Sequence, residues 1–217
     1  MTHVREHRSV LAAAEKRLLI LIAGRLPAAI NSDHLTVLAL AAMALAGAAF
    51  AAARWDVRAL WLVVVALALN WFGDSLDGTL ARVRRAERPR YGFYVDHVLD
   101  IGGTTLLLAG LACSPFMAPT VALAVLIAYL LVAGEVFLAT AVHGVFRMSM
   151  FGVGPTELRI VLAAGAMALL RDPHVSIGAL TVRLFDFGGA IAAAGLGVVF
   201  VASVLRNATA LAVAEPR

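Results

Sequence analysis

Four aspartates, Asp74, Asp77, Asp96 and Asp100, fall in one stretch of the chain, DSLDGTLARVRRAERPRYGFYVDHVLD, residues 74–100. Asp74 and Asp77 are three residues apart and Asp96 and Asp100 four apart. On helices each pair shares one face, and the two pairs can converge. Carboxylates that converge at a membrane boundary cannot all stay charged without a partner, because burying an unpaired charge costs more than a helix recovers. Divalent cations are the natural partner. An all-oxygen donor set points to Mg²⁺, with Mn²⁺ next; zinc would want His and Cys, and an iron–sulfur cluster several Cys. Gly78 and Ala81 leave room on the Asp77 face for a ligand to approach the helix backbone, and Arg82 can offer phosphate oxygens a forked donor.

The elements that position these residues must lie in a membrane. Of the 217 residues 62% are hydrophobic and 15% charged, with mean hydropathy +0.90, which excludes an ordinary soluble domain and fits a polytopic membrane protein. A net charge of +4 and a pI near 10 would suggest nucleic acid for a soluble protein, but here the arginines flank apolar spans, where they meet anionic head groups. No nucleic-acid partner is expected. Cys113 is the sole cysteine, so neither an intramolecular disulfide nor a Cys-based metal site can form. The start of the chain does not read as a cleavable signal peptide: the apolar run Leu18 to Ala23 after the basic stretch is short and closes at Gly24 and Arg25.

Residues 1–25 alternate basic and apolar side chains and predict an amphipathic helix lying in the membrane interface. Pro27 ends it, and Ser32 or Asp33 can cap the next helix. Residues 30–206 then read as an all-α domain of six transmembrane helices, with spans near 35–53, 59–82, 92–112, 120–142, 155–170 and 187–205. The second span carries Asp74, Asp77 and Arg82 on its last turns, and the third carries Asp96 and Asp100 on its first turns. Between them, Arg84, Arg85, Arg88, Pro89 and Arg90 predict a turn. Polar connections are expected over 143–154 and 171–183, and 207–217 reads as a short tail. Six spans place both termini on the side of the motif turn. That side collects fourteen of the eighteen Lys and Arg residues, and the other keeps only Arg54, Arg58, Arg171 and Arg183. The positive-inside rule then turns the motif to the cytoplasm, with the protein in the cell's inner membrane.

Written out, the stretch is Asp-x2-Asp-Gly-x2-Ala-Arg-x9-Gly-x3-Asp-x3-Asp, and it resembles the signature of the CDP-alcohol phosphotransferase (CDP-alcohol phosphatidyltransferase) family. All eight fixed positions are filled, by Asp74, Asp77, Gly78, Ala81, Arg82, Gly92, Asp96 and Asp100, and the central gap is one residue longer than usual. The resemblance implies a phospholipid-synthesis enzyme of the membrane. It implies transfer of a substituted phosphate from a CDP-linked donor, most often CDP-diacylglycerol, to a polar alcohol, with release of CMP. It further implies Mg²⁺ or Mn²⁺ held by the four aspartates, Asp100 as general base, and contact of the nucleotide with Asp77, Gly78, Ala81, Arg82 and Gly92. A homodimer is implied as well. Asp96-His97 followed by Asp100 is also similar to choline and ethanolamine transferases, which move a CDP-linked polar alcohol to a lipid hydroxyl. Many members begin their first span Pro-Asn-x-Leu-Thr; here the segment is Ser32-Asp33-His34-Leu35-Thr36, so only Leu and Thr match.

Intramembrane acids also mark cation transporters. Gly78, Ala81 and Arg82 weigh against that reading, since an arginine one turn beyond the acids serves a nucleotide site and not a cation path. Outside the motif, Glu135 lies inside the fourth span, where it should face the bundle interior, either lining an acceptor cavity or pairing with an arginine. Gly154-Pro155-Thr156-Glu157 reads as a helix start, and Glu157 and Arg159 are further candidates for the acceptor pocket. His97, His143 and His174 read as interfacial or loop residues.

Overall fold

The computed structural model describes residues 12–143 and 155–215. The first eleven residues of the expected interfacial helix, the connection over 144–154 and residues 216–217 lie outside them. Seven α-helices follow in order among the described residues: α1 (Ala12–Arg25), α2 (Ser32–Ala52), α3 (Leu60–Val83), α4 (Pro89–Ala112), α5 (Pro119–His143), α6 (Pro155–Leu169) and α7 (Leu184–Ala214). Five of them, α2, α3, α4, α5 and α7, are long and apolar enough to cross a membrane. The architecture is all-α and that of a polytopic membrane protein. At 15 described residues, α6 spans about 22 Å, short of the roughly 30 Å of hydrocarbon that those five helices can cross.

Between apolar helices in lipid, close backbone approach matters more than bulk hydrophobicity, and small residues provide it. α2 is the shared support: Ala39, Ala42, Ala46, Gly47 and Ala49 are buried on it. A Cβ on Gly110 of α4 would fall 2.0 Å from the Gly47 carbonyl oxygen, and one on Gly73 of α3 would fall 2.5 Å from the Leu35 carbonyl oxygen. Both helices that carry aspartates therefore rest against α2 with almost nothing between backbones. A large apolar cluster gathers Phe50, Leu60, Val63, Leu67, Leu111 and Phe185, and a smaller one joins Leu19 and Ala23 of α1 to Leu35, Leu76 and Leu80. Along α3, Asn70, Gly73 and Asp74 fall between the two clusters.

Several element boundaries differ from expectation for local reasons. Asn31, not Ser32 or Asp33, caps α2: its side chain accepts from His34 N at 2.9 Å, and His34 Nδ1 accepts from Asn31 N at 3.4 Å. Pro89 is the first residue of α4, where its missing N–H costs nothing, so the interhelical turn is only Arg84–Arg88. That turn closes α3 with Arg85 at φ 54°, while Arg85 N and Ala86 N return to the carbonyls of Arg82 and Ala81. The expected loop over 171–183 contains an antiparallel hairpin, His174–Ile177 with Leu180–Arg183, turning at Gly178 with φ 61°. Residues 207–214 continue α7 as helix rather than forming a tail.

Candidate active site

Because α3 and α4 both lie against α2, the final turns of one face the first turns of the other. Oxygens of Asp74, Asp96 and Asp100 lie within 4.8 Å of one another, each on a half-buried side chain. Three carboxylates this close repel strongly in a poorly hydrated site unless positive charge joins them. Their donor set, all hard oxygen, fits Mg²⁺ or Mn²⁺. Part of the compensation comes from the protein. Arg159 of α6 forms an ion pair with Asp74 Oδ2, and its Nε donates to Asn70 Oδ1 at 2.6 Å. Asn70, itself buried, donates from Nδ2 to the Ala39 carbonyl of α2 at 3.0 Å, so one amide locks the guanidinium to two helices. The remaining nitrogen of Arg159, Nη1, is buried with no hydrogen-bond partner among the described residues.

Asp77 stands apart from the triplet. Thr36 Oγ1 of α2 donates to its Oδ2 at 2.7 Å, Gly78 N donates to its Oδ1, and Asp96 and Asp74 are its charged neighbours. Ser32 Oγ donates to the Asp77 carbonyl at 2.9 Å, so the beginning of α2 holds both the backbone and the side chain of this aspartate. The matching threonine of the partly matched first-span segment thus touches the site, and so does the serine that stands in place of proline.

One helical turn beyond Asp77, the Arg82 guanidinium folds back along α3. Its Nη2 donates to Thr79 Oγ1 at 3.1 Å, and its Nη1 lies 3.4 Å from where a Cβ on Gly78 would be. A Cβ at Gly78 would meet the guanidinium at ordinary contact distance. Ala81 is half-buried on the same final turns, while a Cβ on Gly92, at the start of α4, would meet nothing within 4 Å among the described residues. Arg84 does not face the carboxylates: it donates to the carbonyls of Leu26, Pro27 and Ile30 and ties the motif turn to the α1–α2 connection. Arg88 pairs with Asp33 and lies 4.0 Å over the Tyr91 ring. His97 Nδ1 is 2.7 Å from the Phe93 carbonyl, and its ring packs on Phe93 and Phe137.

Of the acceptor-side candidates, Arg159 reaches the cluster and Glu157 is half-buried in the first turn of α6, two residues before it. Glu135 is engaged elsewhere: its two oxygens accept from Ser203 Oγ at 2.7 Å and Asn207 Nδ2 at 2.6 Å, both on α7. Sequence reasoning missed Asn70, although it lies one turn before Asp74 and shares its face. It also missed Tyr129 of α5, whose polar neighbours are Thr104, Asp100 and Asp74.

The family model for CDP-alcohol phosphatidyltransferase matches residues 30–210. The chain belongs to that family. It is accordingly a transferase of substituted phosphate groups in phospholipid biosynthesis, one that takes a phosphate-linked group from a CDP-alcohol donor to an alcohol acceptor. The family generally uses a divalent metal, and the triplet of Asp74, Asp96 and Asp100 is a group that could bind one. No curated protein matches the chain.

Proposed function

We propose that this CDP-alcohol phosphatidyltransferase takes CDP-diacylglycerol as donor and transfers its phosphatidyl group to a polar alcohol, releasing CMP. The observation that carries this reading is the convergence of Asp74, Asp96 and Asp100 from two helices, with Asp77 held beside them. These four aspartates would hold Mg²⁺ or Mn²⁺, and such ions, when bound, neutralise the pyrophosphate and the departing CMP. The protein supplies the rest. Asp77, Gly78, Ala81, Arg82 and Gly92 receive the cytidine nucleotide, with Arg82 swinging from Thr79 to phosphate oxygens. Asp100 takes the proton from the acceptor hydroxyl as that oxygen bonds to the β-phosphorus, and the bond from that phosphorus to the CMP oxygen breaks. Arg159 and Glu157 border the acceptor. Glu135, with both oxygens bonded to α7, serves to pack α5 on α7. The enzyme works as a homodimer in the inner membrane with its site toward the cytoplasm, where nucleotide substrates are found.

The test is CMP release by detergent-purified protein. Donors are CDP-diacylglycerol, CDP-choline and CDP-ethanolamine; acceptors are glycerol phosphate, inositol, inositol phosphate, serine and diacylglycerol. The expected result is release from CDP-diacylglycerol that requires a polar acceptor and disappears with chelator. Release only from CDP-choline or CDP-ethanolamine with diacylglycerol would reverse the roles of lipid and alcohol, and undiminished release in excess chelator would remove the metal from the reading.

A further inference from the structure

Three side-chain donors from two helices converge on one carboxylate oxygen of α1. Glu15 Oε1 accepts from Trp71 Nε1 at 2.7 Å, Thr156 Oγ1 at 2.8 Å and Ser75 Oγ at 3.3 Å. Trp71 and Ser75 are one turn apart on α3 and bracket Asp74 in sequence. Thr156 sits in the first turn of α6, one turn before Arg159 on the same side. The start of α6 therefore meets α3 twice: directly, through Arg159 on Asp74 and Asn70, and indirectly, through Thr156 on Glu15.

Anchoring α1 at a lipid surface does not require this acid. Its outward face, with Lys16, Arg17, Leu18 and Leu21 exposed, already combines basic and apolar side chains. A half-buried carboxylate that gathers three donors does something an anchor does not: it fixes two other helices relative to each other, and hydrogen bonds to a charged acceptor are about twice as strong as neutral ones.

We propose that Glu15 is a positioning residue of the transferase site, holding the first turn of α6 against α3 so that the Arg159 guanidinium stays at Asp74. This rests on the transferase reading above. The donor groups Asp77, Gly78 and Arg82 belong to α3 itself and do not depend on α6, so loss of the tie lowers turnover and spares donor affinity.

Thr156→Val is the decisive variant, since it keeps the shape of the side chain and removes the hydroxyl donor; Thr156→Ser keeps the donor. CMP release is measured with CDP-diacylglycerol, Mg²⁺ and whichever of glycerol phosphate, inositol, inositol phosphate or serine gives the highest wild-type rate. Thr156→Val and Glu15→Ala are each expected to lower kcat about tenfold, the lower end of what losing a partner behind a metal-site ligand costs, at unchanged donor KM. Thr156→Ser should keep the wild-type rate. The double variant should be no slower than Glu15→Ala, because both substitutions cut the same tie. Melting in detergent identifies unfolded protein, and Thr156→Val with Thr156→Ser carries the test even where Glu15→Ala does not fold. Full turnover in Thr156→Val, equal losses in Thr156→Val and Thr156→Ser, or additive losses in the double variant would overturn the proposal while the transferase reading stands. Absence of CMP release from the wild-type protein with every acceptor would overturn both.

Discussion

Asp74 and Asp100 contribute oxygens to the same cluster, but only Asp74 carries the ion pair to Arg159, and only Asp100 is assigned the acceptor's proton. Replacing each by asparagine separates the roles. Asp100→Asn is expected to keep Mg²⁺-dependent binding of CDP-diacylglycerol and to lose about a hundredfold or more in CMP release, because an amide cannot take a proton as a base. Asp74→Asn removes a charged ligand and should weaken donor binding itself. If titration of donor with and without Mg²⁺ shows equal loss for both, the four aspartates act as one metal cage. Thr36→Val tests the hold on Asp77: donor binding in Mg²⁺ should weaken about tenfold, with recovery in Thr36→Ser, and unchanged binding would make the 2.7 Å bond incidental. The triplet of Asp74, Asp96 and Asp100 could be read from sequence because its members lie at the near ends of two helices consecutive in the chain, whereas Asp77 stands apart from it. Thr36, Asn70 and Glu15 could not, because each acts on a partner 41, 89 or 141 residues away, and nothing in local spacing encodes such a meeting.

At the scale of helices, two glycines that look alike in sequence do opposite work. Gly110 is pressed on the Gly47 backbone, so Gly110→Val should destabilise the protein by about 1–3 kcal/mol or more, seen as a lower melting temperature in detergent. A Cβ on Gly92 would meet nothing within 4 Å among the described residues. Gly92→Ala should melt with the wild type yet bind CDP-diacylglycerol more weakly; wild-type binding would mean that the nucleotide does not use that space. The helix order was legible from the apolar runs, since few other structures satisfy so apolar a backbone in lipid. The ends were less so. Asn31 outcompeted Ser32 as cap because His34 could answer it, which left the Ser32 hydroxyl for Asp77. The hairpin was masked by Asp172-Pro173, although Val175, Ile177, Leu180 and Val182 pair around a Gly-Ala turn.

For the molecule as a whole, orientation is open to a direct reading. Cys113, the sole cysteine, is exposed at the end of α4 remote from the motif turn. With the motif facing the cytoplasm, a membrane-impermeant thiol reagent should label Cys113 in intact spheroplasts without any engineered residue. Labelling only after the membrane is opened would invert the topology.

The glycine contacts of α2 reach further than stability. α3 and α4 each rest on it, at Gly73 and at Gly110, so the separation between the two aspartate pairs is dictated by how each helix seats on a common keel. The peptide linking them has little left to specify. It follows that the chain should survive being cut there: a fragment ending at Glu87 and a second beginning at Arg88, expressed together, should find each other in the bilayer and rebuild a working site.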